Sequence, residues 1–246
     1  MSGKTVLILG ARSEIAIAIA HKFAKEGYNI QLAARNAISL ELYRSDLEIS
    51  YQVNVTLYEF DVLNTSYHSE FINKLGPHLP EIAVCAIGYM GIQTENEQDF
   101  SAAMKVIRTN YEGPSVILGE LANHFEMRGS GTIVGISSVA GERGRAKNYI
   151  YGSAKSGLTA FLSGLRNRLA KKGVHVITIL PGYVATKLTN EMDISKQLLA
   201  QPDQVAECLF QAVKRKKNIV YVKPLWRFIM FIIRSIPEFI FKWMRI

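Results

Sequence analysis

The sequence predicts an α/β fold, a single domain built on a doubly wound parallel sheet of about seven strands, followed by a C-terminal amphipathic helical tail. Short β-branched runs alternate with longer helical patterns along the chain, and the short runs are apolar throughout, as in strands buried on both faces. Parallel neighbours need long return connections, which the helical stretches supply. No linker rich in Pro, Gly or Ser interrupts this series, so we assign residues 1–222 to the main domain and residues 223–246 to the tail.

The strand candidates are each a few residues long: Thr5–Leu9, Asn29–Ala33, Leu57–Phe60, Ile82–Ala86, Thr132–Ile136, His175–Leu180 and Asn218–Val222. The helical stretches include Glu14–Glu26, Tyr67–Leu75, Asp99–Glu126, Tyr151–Lys171 and Pro202–Lys214. Pro114 falls inside one of these stretches, where its missing N–H predicts a bend or a boundary. Open sheets of this kind bind ligands beyond the carboxyl ends of their strands, so the segments that follow the strands form the candidate site.

The composition is that of an ordinary globular protein, 48% hydrophobic and 20% charged over 246 residues, which excludes intrinsic disorder, collagen and coiled coil. Two cysteines, Cys85 and Cys208, cannot form a disulfide framework or a Cys-rich metal site, which predicts a reducing, cytoplasmic location. The five histidines are scattered without metal-ligand spacing, so we expect no metal.

The formal net charge of +8 is concentrated at the end of the chain. Residues 1–210 balance their charges, whereas residues 211–246 carry nine Lys and Arg side chains against Glu238. We therefore expect no nucleic-acid partner for the main domain and place any polyanionic partner at the tail.

The first strand leads into a tight turn that begins at Gly10 and opens a helix. Backbone N–H groups and the positive end of that helix favour a pyrophosphate there. The residues that we assign to a dinucleotide cofactor in this turn are Gly10, Arg12, Ser13 and Ile15. A glycine fingerprint would have three glycines, and Glu14 and Ala16 occupy the other two positions, so a plain strand-to-helix turn is the alternative.

Arg35 directly follows the second strand, where an acidic residue would bind the ribose hydroxyls of NAD and a basic one the 2′-phosphate of NADP. This favours NADP(H), with NAD(H) as the alternative cofactor, and Arg12 could add to the preference. Asp61 and Val62 follow the third strand and Gly88 follows the fourth, and we assign these three to the cofactor as well. A helix cap at Asp61 and an ordinary turn at Gly88 are the other interpretations.

Polar residues that suit acid–base chemistry follow the fifth strand. Tyr151 and Lys155 are four residues apart, so they share a helical face and the ammonium can lower the pKa of the phenol toward neutrality. Ser138, at the end of the fifth strand, could hydrogen-bond a substrate carbonyl, and Asn110 could hold a water for proton relay. A phenol tuned in this way is a general acid or base at physiological pH.

These residues resemble the short-chain dehydrogenase/reductase family, over about Lys4 to Val222. The family's catalytic residues match Asn110, Ser138, Tyr151 and Lys155. The resemblance implies a Rossmann-type fold, adenine contact by Asp61, and a P-G-x-V-x-T loop that appears here from Pro181 to Thr186, with Val184 and Thr186 on the nicotinamide carboxamide. It also implies that the cofactor exchanges hydride with a ketone or secondary alcohol.

In that mechanism Tyr151 donates or accepts the proton, Ser138 polarises the carbonyl, and Lys155 lowers the pKa of the phenol and binds the nicotinamide ribose. The departures from the family are the degenerate glycine turn and Cys85–Gly88 in place of N-N-A-G. Glu14 beside the pyrophosphate mildly favours a non-catalytic dinucleotide sensor, and a membrane adaptor is a further alternative. The intact catalytic residues oppose both.

The charged side chains of the tail share an arc of about 80° on a helical wheel and leave a broad apolar face. These side chains are Arg227, Arg234, Glu238, Lys242 and Arg245. Pro237 should kink or divide the helix, and the longest stretch without charge or proline is six residues, against about 20 for a membrane span. We expect the tail to lie on an anionic membrane surface at the inner face, and packing on a neighbouring subunit or over the substrate mouth is the alternative.

A tail that touches lipid predicts a hydrophobic or lipid-linked carbonyl substrate, and a small-molecule carbonyl substrate is the alternative. Within the family, the altered glycine motifs and the basic aromatic tail loosely resemble the reductases of decaprenylphosphoryl-2-keto-ribose, in which a keto sugar on a polyprenyl phosphate is reduced. The family resemblance further implies a homodimer or homotetramer.

Overall fold

The protein is built on parallel strands that run through its centre. The computed structural model describes residues 3–186, 189 and 195–244. The strands are β1 (Thr5–Leu9), β2 (Asn29–Ala34), β3 (Val55–Glu59), β4 (Ile82–Cys85), β5 (Gly131–Ile136), β6 (Val174–Leu180), β7 (Tyr183–Val184), β8 (Leu199–Ala200) and β9 (Ile219–Tyr221). Seven of them form one sheet in the order β3-β2-β1-β4-β5-β6-β9, and β7 pairs with β8 beside it. The predicted doubly wound parallel sheet is confirmed.

Helices connect the strands and cover both faces of the sheet. They are α1 (Glu14–Lys25), α2 (Glu41–Tyr51), α3 (His68–Leu75), α4 (Gln93–Gln98), α5 (Phe100–Ile107), α6 (Gly113–Arg128), α7 (Tyr149–Leu169), α8 (Pro202–Lys214), α9 (Pro224–Ser235) and α10 (Glu238–Phe241). Phe23 and Leu209 belong to the core under α1 and α8, while Phe125 and Leu162 belong to the core under α6 and α7. The apolar strands are buried between these two layers, as their composition predicts.

The strand order reverses at β1, which pairs with β2 on one side and with β4 on the other. Its last residue, Leu9, is in register with Ala33 of β2 and with Cys85 of β4. The connections that leave β1 and β4 therefore diverge to opposite faces and open a crevice at the carboxyl ends of the strands.

The stretch Asp99–Glu126, predicted as one helix, is divided into α5 and α6 by a π-helical turn at Arg108–Glu112. Pro114 lies in the first turn of α6 and has no N–H to donate to the preceding turn. The helical hydrogen bonds take the wider π-helical pattern just before it, which confirms the predicted boundary. A side chain at Gly113 would collide with the carbonyl of Val62. The turn is therefore packed closely against the segment after β3.

The tail contains α9 and α10, and Pro237 separates them as predicted. One face of α9 is buried, because Trp226 and Met230 pack with Val139 and Leu180 of the main domain. Arg245 and Ile246, which the sequence analysis included in the tail, lie outside the described residues. None of the helices in the described part of the chain is long and apolar enough to cross a membrane.

One arginine of the main domain, Arg143, anchors the tail through several contacts. Its guanidinium donates to the carbonyls of Ile233 (3.0 Å), Arg234 (3.0 Å) and Ile236 (2.6 Å), which lie in the last turn of α9 and at the residue that follows it. It also pairs with Glu238 at 2.8 Å and lies 3.9 Å from the ring centroid of Phe241. Arg143 therefore caps α9 and holds the start of α10 with one side chain.

Candidate active site

A cavity of about 1190 Å³ opens at the crevice beyond the carboxyl ends of the strands. Its walls come from the segments that follow β1, β4, β5 and β6, and from the first turn of α8. Typical small-molecule sites have volumes of about 300–1,000 Å³. The cavity therefore has room for a dinucleotide together with a substrate.

The turn after β1 forms one end of the cavity. Gly10 has φ +85°, and a Cβ at this position would lie 2.8 Å from the side chain of Ile87. Ser13 caps α1 by accepting from Ala16 N–H at 3.1 Å. Arg12, Ser13 and Ile15 line the cavity here, so the backbone N–H groups that begin α1 face a space that fits a pyrophosphate. Glu14 also lines it, with an exposed side chain.

Four of the predicted cofactor residues lie outside the cavity lining, namely Gly10, Arg35, Asp61 and Val62. Arg35 follows β2 directly and is exposed. Asp61 accepts from Leu63 N–H at 3.0 Å, so its carboxylate organises the turn after β3. Val62 is buried against Gly113. It remains a prediction that Asp61 and Val62 contact the adenine and that Arg35 contacts a phosphate.

Ser138, Tyr151 and Lys155 line the cavity together. Ser138 ends the segment after β5 and caps a short 3-10 turn by accepting from Ala140 N–H at 3.1 Å. This turn lies directly on α7, since a Cβ at Gly141 would approach Ser156 N to 2.6 Å. The close approach, which only glycine permits, fixes the serine relative to the tyrosine.

The Lys155 ammonium is buried at 2% exposure and bonded to main-chain carbonyls. Nζ donates to Ile136 O at 3.0 Å, at the end of β5, and to Ile87 O at 3.2 Å, just beyond β4. Burial lowers the pKa of this lysine to about 8. An ammonium has three N–H donors, so one is left for a ligand in the cavity.

The predicted lowering of the Tyr151 pKa by Lys155 is wrong for the protein by itself. Burial raises the pKa of the phenol to about 12, although the neighbouring Ser138 hydroxyl acts in the opposite direction. Lys155 Nζ lies 5.8 Å from the centroid of the phenol ring and is bonded to the carbonyls of Ile87 and Ile136. Tyr151 is therefore a protonated acid at neutral pH.

Asn110 lies in the π-helical turn and is fully buried. Its Oδ1 accepts from Tyr89 N–H at 3.2 Å, and its Nδ2 donates to the carbonyls of Tyr89 and of Val106. A Cβ at Gly88 would lie 3.6 Å from this Oδ1 and 3.7 Å from Lys155 Nζ. The side chain thus holds the loop after β4 beside the lysine, and the predicted water relay stays a prediction.

The loop after β6 closes the cavity from another side. Pro181, Val184 and Thr186 line it, with Thr186 Oγ1 donating to Val184 O at 3.4 Å. Trp226 of the tail also lines it, and a Cβ at Gly182 would collide with the Trp226 indole. The tail therefore contributes part of the cavity wall, which agrees with one of the alternatives to the predicted membrane surface, packing over the mouth of the cavity.

The sequence analysis missed some of the lining residues. Trp226 was assigned to the amphipathic tail alone, and Arg145, Lys147 and Asn148 were assigned no function. The signal for Arg145 and Lys147 was available, because basic residues alternate with small ones immediately before the helix that carries Tyr151.

Comparison with known proteins agrees with this geometry. The family model described as short chain dehydrogenase matches residues 4–197. An uncharacterized oxidoreductase of Mycobacterium tuberculosis is 34% identical over 239 residues, covering 96% of this chain and 95% of the relative. The bulky-bulky ketone specific alcohol dehydrogenase of Comamonas testosteroni has a TM-score of 0.80 at 22% identity, covering 97% of this chain and 96% of its own. A short-chain dehydrogenase of Sphingobium yanoikuyae in complex with NADPH has a TM-score of 0.77 at 22% identity, with 96% and 97% covered.

Lys155 should make folding stability depend on pH in an unusual way. Its pKa is about 8 in the fold and about 10.4 in an unfolded chain, so between these values the unfolded state holds more protons and stability rises with pH. We expect wild type to gain about 2 kcal/mol more than Lys155→Met between pH 8 and pH 10, measured by urea unfolding. Lys171→Met, which removes an exposed lysine beyond the end of α7, should follow wild type. Equal pH dependence in all three proteins would contradict the buried, depressed lysine.

Proposed function

The chain belongs to the short-chain dehydrogenase family of oxidoreductases, and from that premise we propose that it is an NADP(H)-dependent reductase of a hydrophobic, lipid-linked ketone. One observation carries the proposal. Ser138, Tyr151 and Lys155 line the same cavity as the turn that begins α1. That cavity brings a proton donor, a carbonyl partner and a pyrophosphate cradle together.

The residues around the cavity fit a nicotinamide dinucleotide. Gly10, Arg12, Ser13 and Ile15 would hold its pyrophosphate, Asp61 and Val62 its adenine, and Pro181, Val184 and Thr186 its nicotinamide end. The remaining N–H donor of Lys155 would reach the ribose, and Gly88 leaves the backbone beside it open. When bound, NADP(H) supplies the hydride.

Tyr151 transfers the proton in this reaction, and Ser138 orients the carbonyl that receives it. The Ser138 hydroxyl donates to the substrate carbonyl oxygen and orients it, and the phenol transfers its proton to that oxygen as negative charge develops there. Burial raises the pKa of this phenol to about 12, so it is protonated at neutral pH and can give its proton to the oxygen. We propose carbonyl reduction as the direction of the reaction.

The basic residues at the cofactor end favour NADP(H) over NAD(H). Arg35 is exposed directly after β2, and Arg12 is exposed in the turn that opens α1. Neither forms an ion pair with another described residue, so both are available to a 2′-phosphate. The structural relative from Sphingobium yanoikuyae was solved with NADPH.

The outer face of the tail fits an anionic membrane surface. Phe228, Phe231 and Trp243 are 62%, 69% and 80% exposed. Arg227 and Arg234 lie beside this face. Large exposed aromatic side chains with flanking cations are typical of segments that lie in the interface of anionic bilayers. We place the protein in the cytoplasm at the inner membrane face, where a keto sugar on a polyprenyl phosphate could reach the cavity past Trp226.

Self-association fits a second exposed apolar surface. Phe100, Met104 and Tyr111 are exposed on α5 and the π-helical turn, away from the tail. Burial of these side chains against a second copy would remove them from water, which supports a homodimer or homotetramer.

Loss of the phenol hydroxyl should remove turnover and leave cofactor binding intact. In Tyr151→Phe we expect NADPH oxidation across a panel of lipid-linked and soluble ketones to fall at least about 100-fold, because proton transfer is lost. NADPH binding, followed by its fluorescence, should stay unchanged. Tyr149→Phe is the matched control, since Tyr149 lies two residues away and is 46% exposed. A wild type that binds NADPH but reduces no ketone would favour the sensor alternative.

Removal of the Arg35 guanidinium should weaken NADPH selectively. In Arg35→Ala we expect the KM for NADPH to rise about tenfold, because a charge-assisted bond to the 2′-phosphate is lost. NADH lacks that phosphate and serves as the internal control, so its KM should not change. An equal rise for both cofactors would remove the basis for NADP preference.

The membrane role of the tail is tested by flotation with vesicles. We expect wild type to float with vesicles that contain about 30% anionic phospholipid and to bind neutral vesicles less, since the attraction is partly electrostatic. The Phe228→Ser/Phe231→Ser double variant should lose most of this binding. Phe100→Ser, which removes an exposed aromatic side chain from α5, should retain it. Equal flotation of both variants would show that the tail face does not contact lipid.

A further inference from the structure

The segment between the Ser138 turn and α7 carries three alternating cations, Arg143, Arg145 and Lys147. Arg143 is committed to the tail through its contacts with the end of α9 and with Glu238. The other two line the active-site cavity, on the same wall as Tyr151. Two positive charges therefore stand within a few residues of the proposed proton donor.

Neither Arg145 nor Lys147 is neutralised by another described residue, since neither forms an ion pair or a hydrogen bond through its side chain. The Arg145 Nε atom is buried without a hydrogen-bond partner, and so is Oδ1 of Asn148, which lines the same wall. A buried donor without a partner costs free energy, and such groups persist where a ligand satisfies them.

The nearby carboxylates do not cancel this charge. Glu142 accepts from the Tyr221 hydroxyl at 2.7 Å and from Arg234 at 3.3 Å, so it is directed to the tail. The carboxylates that line the cavity, Glu14 and Asp203, come from the first turns of α1 and α8. The part of the cavity wall formed by the residues just before Tyr151 is therefore positively charged.

We propose that Arg145 and Lys147 form an anion subsite that binds a phosphate group on the carbonyl substrate. This inference rests on the proposed reductase function, and it adds the residues that select a substrate with a phosphate group. The planar guanidinium can bind two phosphate oxygens at once, and the lysine adds a mobile point charge. The subsite comes from the segment before α7, whereas the residues assigned to the pyrophosphate of the cofactor come from the turn at Gly10.

The position of the subsite also orients the rest of such a substrate. Arg145 is two residues from Arg143, the anchor of the tail, and six residues from Tyr151. Tyr151 and Trp226 line the same cavity as Arg145, so a substrate whose phosphate is held here has its other parts in the space that these two residues border. Arg145 and Lys147 would thus select substrates by charge, while Tyr151 and Ser138 act on the carbonyl.

Calorimetric titration of the NADP⁺-saturated protein tests the subsite without turnover. The probes are octyl phosphate, inorganic phosphate and the uncharged octanol. We expect octyl phosphate to bind at least tenfold more weakly to Arg145→Gln/Lys147→Gln than to wild type, because both cations are lost. The control Lys171→Gln/Lys217→Gln removes the same charge away from the cavity and should bind like wild type. Tighter binding of octyl phosphate than of inorganic phosphate would indicate a lipid phosphate, and equal binding a soluble one.

The outcomes separate the two proposals. Equal binding of octyl phosphate by the double variant and its control, or octanol binding as tight as octyl phosphate, would overturn the anion subsite. NADP⁺ is titrated first, and a failure to bind it would refute the reductase function instead. In that case the same comparison of variants with octyl phosphate, carried out on the protein without NADP⁺, still decides whether Arg145 and Lys147 bind phosphate.

Discussion

The site depends on the burial of one ammonium group, that of Lys155. Its bonds to Ile136 O and Ile87 O join the ends of two neighbouring strands to α7. Ile136 is the last residue of β5 and Ile87 lies just beyond β4, so the ammonium satisfies carbonyls at the carboxyl edge of the sheet that would otherwise need water. Asn110 strengthens the same junction, because it holds the loop after β4 through Tyr89. The position of Tyr151 follows from this junction, since the tyrosine lies one helical turn before the lysine.

Burial shifts the two titrating groups in opposite directions. It raises the pKa of the phenol to about 12 and lowers that of the ammonium to about 8, because in each case it penalises the charged form. The pair is therefore most stable with the phenol protonated, and it tolerates loss of the lysine proton. A site that begins with a protonated phenol is prepared to give a proton to a carbonyl oxygen. The same burial makes the lysine costly to the fold, which is typical of functional sites that trade stability for chemistry.

The fold was largely predictable because the seven central strands are apolar and separated by helical patterns, signals that do not depend on distant contacts. Tyr151, Lys155 and Ser138 were predictable for a similar reason, since their spacing places them at one strand end. The pKa of Tyr151 was not, because the burial that raises it depends on the fold around the phenol rather than on the spacing of Tyr151 and Lys155. Arg145 and Lys147 were missed because an alternating basic segment is also typical of a solvated loop.

The tail shows why amphipathic patterns alone cannot assign a partner. A wheel identifies one charged edge and one broad apolar face, but the structure divides that apolar face between two environments. Trp226 and Met230 face the main domain, whereas Phe228 and Phe231 face outward. The membrane surface and the substrate mouth, which are alternatives at the level of sequence, are therefore compatible in one helix.

The loop from Val139 to Asn148 connects these parts. Val139 packs on the tail and Arg143 caps α9, while Arg145 lines the cavity and the loop ends where α7 begins. One loop therefore carries both the side chain that caps α9 and a side chain of the cavity wall. The anchor of the tail and the wall that precedes Tyr151 are built from the same short stretch of backbone, which ends where α7 begins.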